Sequence, residues 1–155
     1  MDYSKNLAYK WQTILDSYDL EYTFDTEKGY FVIPDFSIDN DVRELTIYIT
    51  CRDSDFRIWC SYDMKVPERY RDQMSVLLAK INYTMYFGRY FMDYSDGEMG
   101  FKYAVDFEGG IASAQMLKNA LLFVVNAPKD WGDAMVAVAK GRMSGSSAYS
   151  RYLED

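Results

Sequence analysis

Two runs of alternating apolar and polar residues, Val42–Cys51 and Phe56–Met64, are separated only by Arg52-Asp53-Ser54-Asp55. This arrangement constrains the fold more than any other part of the chain. Alternation with a period of two sends successive side chains to opposite faces of a strand, and a short link of Arg, Asp and Ser has the composition of a turn. The two runs therefore predict an antiparallel hairpin with Cys51 opposite Phe56 and Cys60 opposite Ile47. In that register Leu45, Ile47, Ile49, Phe56, Ile58, Cys60 and Tyr62 share one face, while Tyr48 lies opposite Trp59 on the other, with Thr50 and Arg57 beside them. The two cysteines are then about four strand residues, or ~13 Å, apart, too far for a disulfide. They read as buried thiols, which agrees with a reducing compartment and a cytoplasmic location.

Helical spacing flanks this hairpin. Leu7, Trp11, Ile14, Leu15 and Tyr18 recur at helical intervals behind Ser4, a natural N-cap. Leu20–Phe24 alternates and turns through Thr26-Glu27-Lys28-Gly29 into Tyr30–Ile33, a second hairpin expected to end at Pro34. Pro67 opens a helix expected to run about 20 residues to Gly88, with Tyr70, Met74, Leu77, Leu78, Ile81 and Met85 on one stripe. Tyr90, Met92 and Tyr94 then run into Asp96-Gly97, a hairpin signal, and out through Met99, Phe101, Tyr103, Val105 and Phe107 on the same face. Ser113 caps a last helix with Leu117, Ala120, Leu121 and Val124 inward, and Pro128 is expected to kink or divide it before Gly141. The order describes an α+β domain: an antiparallel sheet with an N-terminal helix, a long central helix and a C-terminal helix, spanning 1–140. Residues 141–155 read as a polar tail.

Composition narrows the chemistry. The 155 residues include 15 tyrosines, nine phenylalanines and three tryptophans, and no histidine. Without imidazole there is no Ser-His or Cys-His nucleophile pair, no His base near neutrality and no His-containing zinc or iron site. A net charge of -7 repels phosphate backbones and anionic lipid surfaces, so neither nucleic acid nor a membrane is an expected partner. The acidic pairs Asp39/Asp41, Asp53/Asp55 and Asp96/Glu98 sit at turns, without the central glycine and terminal Glu of a calcium loop or the apolar surroundings of an acid/base pair. No metal or other cofactor is expected. Gly109-Gly110 lacks a phosphate-loop pattern, and Ser144, Ser146 and Ser147 have no base to activate them. A binding role is the expectation, not catalysis.

What remains is surface. Tyr48, Arg57 and Trp59 fall on the outer face of the central hairpin and Phe91 on that of the later one. Exposed aromatics on a sheet mark a partner site unless a helix covers them. Tyr83, Tyr86 and Phe87 lie off the apolar stripe of the central helix, which leaves surface for a second subunit.

At Val66-Pro67-Glu68-Arg69, Leu77–Tyr83, Phe87–Asp93 and Asp96-Gly97-Glu98, the chain resembles the bacterial YbjN family of sensory transduction regulators, itself similar in fold to type III secretion chaperones. The resemblance spans roughly 18–140, and its motifs set a helix end and a turn, so they assign no catalytic residue. It implies a non-enzymatic, dimeric domain that holds a protein segment or modulates a partner. The expected site is the outer sheet face, with Tyr48 and Trp59 as anchors. A small-ligand sensor with a pocket between sheet and helices is the alternative.

Overall fold

The structure, a computed structural model, describes residues 2–153. Helix α1 (Lys5–Ser17) leads into strands β1 (Thr23–Asp25), β2 (Tyr30–Ser37), β3 (Glu44–Cys51) and β4 (Asp55–Lys65). Helix α2 (Arg71–Tyr83), the hairpin of β5 (Arg89–Met92) and β6 (Glu98–Asp106), and helices α3 (Ala114–Ala139) and α4 (Gly145–Leu153) complete it. The six strands form one antiparallel sheet in the order β1-β2-β3-β4-β6-β5. The fold is α+β. No helix among the described residues is long and apolar enough to cross a membrane.

The central hairpin takes the predicted register, with Cys51 paired to Phe56, Cys60 to Ile47 and Tyr48 to Trp59. One face of the sheet meets the helices. Trp11 of α1 packs edge-on against Phe56 with ring centres 5.4 Å apart, both fully enclosed, and truncating a ring of this kind costs about 3–5 kcal/mol. Ile47, Ile49, Ile58, Cys60 and Phe101 continue this layer towards Leu117, Ala120 and Val124 of α3. No helix among the described residues packs on the opposite face.

Several elements differ from expectation, each for a local reason. The first hairpin begins later, at Thr23, and β2 does not end at Pro34 but continues to Ser37 through a bulge between Ile33 and Phe36, where Asp35 adopts a φ of 53°. The central helix is shorter than the apolar stripe suggested: a 3-10 turn, Glu68–Tyr70, precedes α2, which stops at Tyr83. Asn82 ends it there. Its side chain both donates to the Tyr90 carbonyl and accepts from the Tyr90 N–H, each at 2.9 Å, tying the helix end to β5.

Pro128 does not divide α3, which runs unbroken for 26 residues. Proline withdraws the donor that the Val124 carbonyl would otherwise receive, but this turn of the helix is held from outside: the Ala127 carbonyl accepts from the Tyr90 hydroxyl at 2.7 Å and the Pro128 carbonyl from the Asn40 amide at 2.6 Å. Residues read as a polar tail form α4 instead. Ala148 is buried, the Gly145 N–H donates to the Gln73 side chain of α2, and Tyr149 stacks on Trp131 of α3 at 5.5 Å. Tyr94, expected inward, is exposed and donates its hydroxyl to Asp72.

Candidate functional site

The face of the sheet away from the helices is built by the polar half of each strand's alternation. In β3 these positions are Thr46, Tyr48 and Thr50, in β4 Arg57, Trp59 and Ser61, and all but the exposed Arg57 are half-buried. Tyr48 and Trp59 stack at 5.3 Å with ring planes 19° apart. Tyr30 of β2 extends the row, 6.2 Å from Tyr48 and 6.3 Å from Trp59. Removal from water and the neighbouring Tyr48 raise the Tyr30 phenol pKa. Three rings on three adjacent strands thus make an aromatic strip on a face that no helix among the described residues covers.

Beyond Trp59 the face becomes cationic. Lys102 of β6 pairs with Trp59 on one side and with Arg89 of β5 on the other. The Lys102 ammonium sits over the Phe91 ring at 4.5 Å, and Phe91 in turn lies across Gly100. Arg57 contacts Asp55 at 3.2 Å yet stays half exposed. Thr50, Arg57, Trp59, Arg89, Lys102 and Ala104 enclose an open groove of about 410 Å³.

The structure therefore brings Tyr48, Arg57, Trp59 and Phe91 onto one surface. Tyr83 and Tyr86 belong elsewhere: they project from the end of α2 and the loop after it, 91% and 96% exposed. Beside them Phe87 stacks on Phe123 of α3, which stacks on Tyr103. Tyr30, Arg89 and Lys102 were missed by sequence reasoning. Alternation with the buried Phe31 and Ile33 was the signal for Tyr30, and alternation between Phe101 and Tyr103 was the signal for Lys102.

The acidic turns carry local hydrogen bonds and ion pairs. Asn40 of the first accepts from the Val42 N–H, and the Asp133 carboxylate of α3 accepts from the Asp41 N–H. Asp55 pairs with Arg52 and Arg57. Asp93, Asp96 and Glu98 lie close together, but their oxygens take bonds from Ser95, the Glu98 N–H, Lys65 and Ser61. Bonds from Ser95 lower the Asp93 pKa, and the bond from the Glu98 N–H lowers that of Asp96. Under α3, burial raises the pKa values of Tyr62 and Tyr90, and partial removal from water raises that of Asp130 on α3 itself. Burial also pushes both cysteine thiols up to about 12, and the two sulfurs are free. A nucleophile needs a lowered thiol pKa, so these are packing groups.

Residues 12–135 match the YbjN family, described as "Putative bacterial sensory transduction regulator". The chain belongs to the YbjN family. A solved relative agrees in fold: the crystal structure of YbjN, a "putative transcription regulator from E. coli", aligns with a TM-score of 0.52 at 11% identity, covering 79% of this chain and 91% of that one. No curated protein matches the sequence. Within the family stretch, Asn82 clamps β5, and Gly97 turns the β5–β6 hairpin at a φ of 81° while donating to the Asp93 carbonyl.

Proposed function

We propose that this YbjN-family chain is a non-enzymatic regulatory module that holds a segment of a partner protein on the open face of its sheet. The carrying observation is the Tyr30–Tyr48–Trp59 strip, in which Tyr48 stacks on both neighbours, on a surface left bare by every helix among the described residues. Aromatic side chains offer large contact area at low conformational cost, which is why such rings dominate binding energy at interfaces. The alternative of an enclosed ligand pocket has less support, because the space between sheet and helices is filled by Trp11, Phe31, Phe56 and Phe101. The homodimer anticipated by the family resemblance would use the separate Tyr83, Tyr86 and Phe87 surface, leaving the strip free. Two unpaired thiols suit work in the cytoplasm.

The test is recovery of bound proteins from the cell's own extract with the wild-type chain and with Trp59→Ala, after circular dichroism shows both folded. Loss of a stoichiometric partner in the variant supports the reading; an unchanged partner and yield would overturn it.

A further inference from the structure

The face that carries the aromatic strip is electrically divided. On the turn side of the Tyr48–Trp59 pair lies the groove of Arg57, Arg89 and Lys102. At the open end of the β3–β4 hairpin, on the same face, Asp35, Glu44 and Asp63 line a second groove of about 220 Å³ with Tyr48 as its wall. Arg89 and Lys102 are direct cross-strand partners, a like-charge pairing that a sheet ordinarily avoids. Among the described residues neither has an ion pair, and neither do Asp35, Glu44 and Asp63. In a chain with 24 acidic and 17 basic residues, Arg89 and Lys102 gathered without an acidic partner at one groove leave positive charge available to a ligand.

We propose that the partner segment is itself of split charge: acidic residues over Arg57, Arg89 and Lys102, an apolar or aromatic middle on Tyr48 and Trp59, and basic residues over Asp35, Glu44 and Asp63. The inference rests on the sheet-face reading above and adds its chemistry. From Arg57 to Asp63 along β4 is about 20 Å, the reach of six or so extended residues. The acidic groove also closes the path that a long polyanion would need, which separates this surface from a nucleic-acid platform.

The probe is a synthetic peptide of about a dozen residues, a glutamate block, a Tyr-Trp-Leu centre and a lysine block, titrated by fluorescence anisotropy at low and high salt. Binding that weakens with salt, falls at least about tenfold for the Arg89→Glu, Lys102→Glu double variant, and returns when the glutamate block becomes lysine supports the proposal. A second arm uses Glu44→Lys with Asp63→Lys against the lysine block. Failure of the peptide to bind the wild-type chain, or preferential binding of a single-stranded oligothymidine, overturns it. Binding that ignores both charge reversals but disappears in Trp59→Ala overturns the charge assignment while leaving the sheet-face reading standing.

Discussion

The side-chain amide of Asn40 donates to the main-chain carbonyl of Pro128 at 2.6 Å, while its own carbonyl oxygen accepts from the Val42 N–H at 2.9 Å. One side chain thus fastens the loop before β3 to the middle of α3, beside the proline that cannot donate. Gly132 lets the two approach: a Cβ there would lie 2.7 Å from Val42 and 2.9 Å from the Asn40 amide.

Asn40→Ala removes both bonds and should lower stability by about 2–3 kcal/mol, read as a denaturant midpoint. Asn40→Asp keeps the acceptor but aims a carboxylate at a carbonyl. It should be at least as damaging at neutral pH and partly recover as acid protonates the new group.

Gly100→Ala should destabilise by roughly 1–3 kcal/mol or more, because its Cβ would collide with the Cys60 carbonyl and lie 2.6 Å from the Phe91 ring. Thermal melting measures the loss. Phe91→Ala in the same chain should relieve part of it, and additive losses would show that the ring is not the obstacle.

The stacked pair makes a separate prediction. Tyr48→Ala and Trp59→Ala should each leave the fold intact, since both lie outside the buried core, and a double-mutant cycle should return about 0.5–1 kcal/mol of coupling. Urea unfolding of the four chains gives the number.

Alkaline pH should expose the cysteines' contribution. Their thiols move from an ordinary value of 9.0 to about 12 on folding. The folded state therefore holds these protons more tightly, so the associated stability is complete below pH 9 and declines as pH rises from 9 towards 12. Tyr62 and Tyr90, also raised by burial, add to the decline above pH 10. Urea midpoints at pH 8 and 10.5 should differ less in a Cys51→Val, Cys60→Val double variant. At pH 8 a thiol reagent should react only on unfolding.

Removing residues 142–153 should cost several kcal/mol, measured as a fall in melting temperature. It uncovers α2 at Gly145 and Ala148, and it strips Tyr149 from Trp131.

The sheet was legible because alternation is a property of each strand alone: Cys51–Phe56 and Tyr48–Trp59 follow from the length of the turn between two patterned runs. The outer face could be assembled but not declared open, since its exposure depends on where α1 and α3 settle. Errors gathered where distant groups decide the outcome. Pro128 lies in an unbroken helix with donors from Asn40 and Tyr90, 88 and 37 residues away, at its flanking carbonyls. The helix Gly145–Leu153 escaped notice because small residues, not an apolar stripe, fit it against α2. The cationic groove needs β6 inserted between β4 and β5, a neighbour relation that chain order hides.

The sheet also ends in a telling way. Its outermost strands, β1 and β5, are three and four residues long, and the part of β2 that β1 leaves uncovered carries Pro34 and a bulge. Margins of this kind give an incoming chain little main-chain ladder to join. Recognition by added β-strand is thereby discouraged at these borders. Under the proposed reading a partner would be held through its side chains, so the specificity of this domain would be open to change by substitution at a handful of surface positions without disturbing the architecture beneath.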